Sequence, residues 1–197
     1  MIRPTRGDGE RSYLEGLFQQ ACRPIPDMLA VWESQVDAWC VEYQASTGAT
    51  DILEVNLETA VYLFDRVAER VVGAYGISVE QQRRRDTSRM RGFPNVNIGV
   101  RAVLGGRAFL ADRGHLLGHA SGGVMDINLF PQRRELNRGW SPEGRQFREM
   151  ERFVSAHLGV FFYHRPLYDD DTWIPCQLEY GVLVDDLQWW IKRFRNK

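Results

Sequence analysis

Asp112-Arg113-Gly114-His115-Leu116-Leu117-Gly118-His119-Ala120-Ser121-Gly122-Gly123 is the stretch from which the rest of the chain is read, and Asn137 follows 22 residues after His115. An imidazole has an unperturbed pKa near neutrality, so His115 can take a proton from water at physiological pH. An asparagine side chain offers a neutral oxygen to a hard cation. Mg²⁺ takes oxygen ligands and keeps most of its waters, so a single amide oxygen from the protein is enough to place it. Locally, Arg107 to Arg113 reads as a return strand that delivers His115 at its end, after a strand near 96–104 and the hairpin signal Gly105-Gly106. Gly118, Gly122 and Gly123 make the next segment a loop, and Asn128-Leu129-Phe130 is short and strand-like. Asn137 is expected to open a helical stretch. Ser141 as N-cap and Pro142 at the first helical position start a new helix that runs to about His157. Taken alone, these residues also admit a chance Gly-rich loop around a buried histidine.

Further segments narrow the choice. Asn128-Leu129-Phe130-Pro131-Gln132 and Glu135-Leu136-Asn137-Arg138-Gly139-Trp140 follow in order, and then Pro166-Leu167-Tyr168 through Pro175. With Asp112 to His115, they resemble the DNA/RNA non-specific endonuclease family, whose members show D-R-G-H, N-[IL]-x-P-Q and L-N-x-G segments and a later helical glutamate. The resemblance covers roughly residues 95–184, about half of the chain.

That resemblance implies an α+β, ββα-metal fold, with the site between a strand end and a helix. It also implies Mg²⁺-dependent cleavage of DNA without sequence preference, with Mn²⁺ able to stand in and RNA left open as a second substrate. Products would carry 5′-phosphate and 3′-hydroxyl ends. By the same resemblance, His115 deprotonates the attacking water. Asn137 holds the metal, which polarises the phosphate and stabilises the leaving oxygen. Arg113 braces the site or neutralises phosphate, with bracing favoured, and Asn128 orients the site by hydrogen bonding. Arg107 and Arg138 are candidates for contact with substrate phosphate, and Asp112 is read as structural, fixing the turn or bonding Arg113. The resemblance admits a delivered bacterial toxin, with an inhibitor or immunity protein as partner, beside nutrient scavenging and DNA processing.

Three helical carboxylates compete for the metal. Phe147, Met150, Val154 and Leu158 recur at helical spacing and form an apolar stripe. Glu151 flanks the stripe, Glu149 points further toward solvent, and Glu143 falls in the first turn, where it favours the helix dipole. The resemblance implies a glutamate on this helix that anchors metal-bound water, and the segment Phe147 to Glu151 best resembles the family's pattern there, so Glu151 is the expected metal residue.

Charge is unevenly spread. The net charge is −1, yet residues 81–152 hold 14 arginines against 7 acids. Basic segments supply the sequence-independent part of nucleic-acid affinity. Arginine greatly outnumbers lysine, which suits bidentate phosphate contact and equally suits a GC-rich genome. The run Glu80-Gln81-Gln82-Arg83-Arg84-Arg85 reads as a solvated face, with backbone contact as the alternative. No apolar run approaches the ~20 residues of a membrane span, and residues 1–10 lack the apolar segment of a secretory signal. Cytoplasmic synthesis is expected, with export or delivery by a signal-independent route left open. Cys22, Cys40 and Cys176 are widely spaced and odd in number, so neither a disulfide framework nor a C-x-x-C metal pattern is expected.

The remaining elements are read from periodicity. Met28, Leu29, Trp32, Val36, Trp39, Cys40 and Tyr43 predict a helix over roughly 27–45. Leu57, Val61, Phe64, Val67, Ala68 and Val71 predict a second over 56–73, with Asn56 as its N-cap. Residues 1–80 are thus read as a helical extension and 81–197 as the ββα-metal domain. Val160–Tyr163 and Gln177–Val184 read as paired strands, and the aromatic stretch from Asp185 as a closing helix. His119 could pair with His115 on one helix face to bind zinc, but the glycines argue for a fold role. His157 and His164 read as ordinary helix-end and strand residues, and Trp140 as a packing or base-stacking residue. The rival from another class is a catalytically silent binding module on the same scaffold. A structural zinc protein would need clustered Cys and His ligands, which the sequence lacks.

Overall fold

The computed structural model describes residues 13, 15, 16, 18, 19, 28–81, 110–125, 127–184 and 188–197. The chain builds helix α1 (Met28–Thr47), strands β1 (Ile52–Leu57), β2 (Ala60–Asp65), β3 (Arg70–Ile77), β4 (Ala111–His115) and β5 (Leu129–Arg133), the helical turn α2 (Arg134–Asn137), helix α3 (Pro142–Ala156), and strands β6 (Phe161–Leu167), β7 (Gln177–Leu183) and β8 (Trp189–Arg195). Six strands form one antiparallel sheet in the order β1-β2-β3-β6-β7-β8, and β4 and β5 form a second, two-stranded one. The strand pair β4–β5 leads into α3, so the ββα unit expected of the motif segment is present. The expected strand near 96–104 and the Gly105-Gly106 turn lie outside the described residues, as do Arg107 and Cys22.

Alternation along the strands divides the large sheet into two faces. Val61, Leu63, Val72, Tyr75, Phe161 and Tyr163 pack against Trp32, Val36, Trp39 and Tyr43 of α1. Tyr62, Ala74, Phe162, Leu178, Tyr180 and Phe194 face Phe147, Met150 and Val154 of α3, together with Leu116, Leu117 and Phe130. The stripe expected on α3 is buried as far as Val154, whereas Leu158 lies beyond the helix end and is exposed.

Two expected helices are strands. Residues 52–77 form β1, β2 and β3 instead of a helix over 56–73. β2 and β3 are buried on both faces, so their apolar residues run almost continuously and imitate a helical stripe. The turns that punctuate them carry Glu58 at φ 55° and Glu69 at φ 52°, where glycine or asparagine would have signalled a break. The C-terminal stretch is β8, an edge strand whose outward Lys192, Arg193 and Arg195 discourage further pairing. Because β3 pairs with β6, the expected boundary at residue 80 falls inside one sheet. The helical part of the N-terminal region is α1, and residues 52–77 belong with the C-terminal strands.

Asn196 fastens the small sheet to the large one. It is fully buried, its Nδ2 donates to Pro131 O at 2.9 Å and Pro175 O at 2.8 Å, and its Oδ1 accepts from Arg133 N at 2.8 Å. Pro131 and Arg133 pair across the small sheet with Arg113 and Ala111. This residue beyond β8 therefore fixes the strand pair that carries His115.

Candidate active site

His115 is the last residue of β4, paired with Leu129 of β5. Gly114 beside it admits no side chain, because a Cβ there would lie 2.5 Å from the Gln132 side chain across the pair. The loop after His115 turns back on itself through Asn128. That side chain accepts from Leu117 N at 2.8 Å and donates to Leu117 O at 2.7 Å and Val124 O at 2.8 Å. It is completely buried and holds the loop without reaching the cavity. Gly123 packs so closely on Leu117 and Asn128 that any side chain would collide with them.

Asn137 ends the helical turn α2 rather than opening a helix. The turn stops because Gly139 follows at φ 70°, and Ser141 then caps α3, its Oγ accepting from Gly144 N at 2.9 Å. Asp112 ties this turn to β4. Its carboxylate accepts from Arg138 Nε at 2.6 Å, Arg134 Nε at 3.0 Å and Asn137 Nδ2 at 3.4 Å. Of the two roles expected of Asp112, the bond to Arg113 is absent, and Arg134 of α2 and Arg138 just beyond it take its place. Burial would raise the Asp112 carboxyl, but the bonds from Arg138, Arg134 and Asn137 outweigh it and hold the group below the usual carboxylate range. One carboxylate thus joins the strand that ends in His115 to the turn that ends in Asn137.

A cavity of about 510 Å³ opens between β4, the turn His119–Ser121 and α3. Arg113, His115, Asn137, Arg138 and Glu151 all line it, with His119, Arg148 and Arg152 on its walls and His164 and Tyr180 behind. Glu143 and Glu149 are not among its lining residues. Arg113 has no hydrogen bond or ion pair among the described residues, so the bracing role expected of it has no partner there, and it stands on the cavity wall. Burial raises the Glu151 carboxyl, and Arg148, whose Nη1 lies 2.6 Å from Glu151 Oε2, works against that rise. Arg138 lies over the Trp140 ring, 5.0 Å from its centroid, and Trp140 is 61% exposed, so its role is not core packing.

His119 sits in a 3₁₀ turn, not on a helix with His115. His157 bonds its own helix, Nδ1 to Phe153 O at 2.8 Å, as an ordinary helix-end residue. His164 is more than an ordinary strand residue. It stands opposite Tyr180 in the β6–β7 register, the two rings 3.9 Å apart at their centroids, and burial pushes its pKa down to about 3. Alternation from Phe162 along β6 is the signal that could have placed it on the cavity side.

The donor set fits a hard divalent ion. Asn137 spends its Nδ2 on Asp112, which leaves its carbonyl oxygen without a partner among the described residues. Glu151 adds a carboxylate on the same cavity. Among the described residues no three His, Cys, Asp or Glu side chains cluster as a metal site.

No protein-family model and no curated protein matches the chain. Solved structures do. An "extracellular endonuclease" is similar at 15% identity over 75% of this chain and 80% of its own, with a TM-score of 0.44. A "Sda1 nuclease with bound zinc ion" is similar at 18% identity over 76% and 75%, with a TM-score of 0.42. The "EndoG/EndoGI complex" is similar at 15% identity over 81% and 80%, with a TM-score of 0.44.

Proposed function

We propose that this protein is a metal-dependent endonuclease that hydrolyses phosphodiester bonds of DNA without sequence preference, with RNA as a further substrate to test. The observation that carries the reading is the convergence of Arg113, His115, Asn137 and Glu151 on one cavity with arginines on its walls. His115 acts as general base on the attacking water. Arg113, Arg138, Arg148 and Arg152 give the cavity a positive wall that holds the phosphate, and contacts of that kind carry no base information. Asn137 and Glu151 would hold a Mg²⁺ or Mn²⁺ ion, which supplies positive charge beside the scissile phosphate when bound. Asp112 and Asn128 stay out of the chemistry and fix the carriers of Asn137 and His115. Arg107 is a further phosphate contact in this reading.

Plasmid nicking with and without EDTA, followed by digestion of single- and double-stranded DNA and RNA across divalent ions, tests the reading. Chelator-sensitive nicking is expected. A protein that binds the plasmid and leaves it intact in every metal is instead a silent binding module.

A further inference from the structure

We propose that His119 is a second acid–base residue of this cavity, giving a proton to the departing 3′ oxygen. The inference rests on the endonuclease reading above. His119 lies four residues beyond His115, and both rings line the same cavity as Asn137. Its turn is firmly held. Ser121 N and Gly123 N donate to Gly118 O at 2.9 and 3.0 Å, and Gln81 Nε2 donates to His119 O at 3.3 Å.

The ring has one engaged edge and one free edge. Nδ1 lies 3.4 Å from Gly123 O. Gln81 Nε2 lies at the same 3.4 Å from Nδ1, so this edge of the ring is occupied in either tautomer and Nε2 is the nitrogen left to exchange its proton. Nε2 has no partner among the described residues. The chain has four histidines, and the other two cannot serve. His157 is tied to its own helix. His164 is 1% exposed, with both ring nitrogens out of reach of solvent.

The step balances. Water oxygen bonds to phosphorus while the bond from phosphorus to the 3′ oxygen breaks. His115 accepts the proton that water loses, and His119 Nε2 gives its proton to the 3′ oxygen. Exchange with solvent then restores both rings, and the net reaction adds one water across the broken bond.

A leaving group that needs no proton separates this role from a structural one. The substrates are an oligodeoxynucleotide with one normal scissile linkage and the same oligonucleotide with a 3′-bridging sulfur there, both assayed in Mn²⁺. Sulfur leaves as a thiolate without protonation. His119→Ala is expected to lose about 10²–10⁴-fold in kcat on the oxygen linkage and less than about 10-fold on the sulfur linkage. His115→Ala is expected to lose heavily on both, since its role precedes departure. His119→Asn, which keeps a donor for Gly123 O and carries no acid, should behave as His119→Ala. Equal losses for His119→Ala on both linkages, wild-type turnover on the oxygen linkage, or restoration by asparagine overturns the assignment. A wild-type protein that cleaves neither linkage removes the endonuclease reading itself, a result distinct from any of these.

Discussion

The two faces of the large sheet are made by alternate residues of the same strands, and they serve different ends. On one face α1 lays Trp32, Trp39 and Tyr43 over Tyr75, Phe161 and Tyr163, with ring centroids 4.9–5.3 Å apart for Trp32 and Trp39 against these neighbours. On the other, α3 and the small sheet bury Phe147, Met150 and Val154, and then part to leave a cavity lined with arginines and histidines. Apolar burial stabilises both faces. The first face pairs its buried carboxylates, Asp65 with Tyr43 and Glu179 with Tyr163 and Arg193, whereas the second keeps Glu151 on the cavity and buries His164 without a hydrogen-bond partner. The contrast teaches that stability and chemistry are separable here, and each of the following substitutions probes that separation.

The largest effect is expected at His115. His115→Ala should lower kcat by about 10²–10⁴-fold, while gel-shift affinity for DNA stays near wild type, because the arginines hold the phosphates. Wild-type turnover at neutral pH would remove His115 from the base role.

Trp39→Ala addresses the other face. Trp39 is 2% exposed, and truncating a buried tryptophan costs about 3–5 kcal/mol. Denaturant unfolding should show that loss, and turnover per folded molecule should not change. A fall in kcat at low temperature, where the variant is folded, would mean that the two faces are coupled.

Glu151→Gln is expected to weaken the response to limiting Mg²⁺ by about 10–100-fold. Its effect on metal-free stability has the opposite sense. The folded-state pKa of this acid is raised, so its contribution is fully present below the unfolded pKa and is lost as pH rises through the folded one. Removing the charge should therefore leave the neutral-pH Tm no lower than wild type. If Glu143→Gln or Glu149→Gln shows the metal defect while Glu151→Gln is silent, the carboxylate is misassigned.

Asp112→Asn should give the smallest effect, a loss of about 10-fold in kcat as Asn137 loses its anchor. The folded pKa of Asp112 is depressed, so its stabilisation is present above the unfolded value of about 3.9 and is lost as pH falls through the folded value. Acid unfolding of the variant should therefore be flatter below about pH 4. An unchanged acid limb would show that the bonds from Arg134, Arg138 and Asn137 contribute nothing net.

The sequence by itself determined the site's local carriers. The D-R-G-H strand end, the Ser141-Pro142 helix start, α1 and the β6–β7 pair are all legible, because each is set by short-range signals: a motif, a cap, a proline, or a 3.6- or 2-residue period. The cavity's lining by Glu151, in preference to Glu143 and Glu149, also agrees with the helical stripe on α3. Tertiary structure decided the rest. Whether residues 52–77 are helix or strand depends on burial from both sides, which erases the period that distinguishes the two, and on turns that place glutamates at positive φ. β8 is a strand because β7 offers it an edge. The roles of Asp112, His164 and Asn196 come from partners 16 to 65 residues away along the chain, and contacts at such separation leave no local pattern to read.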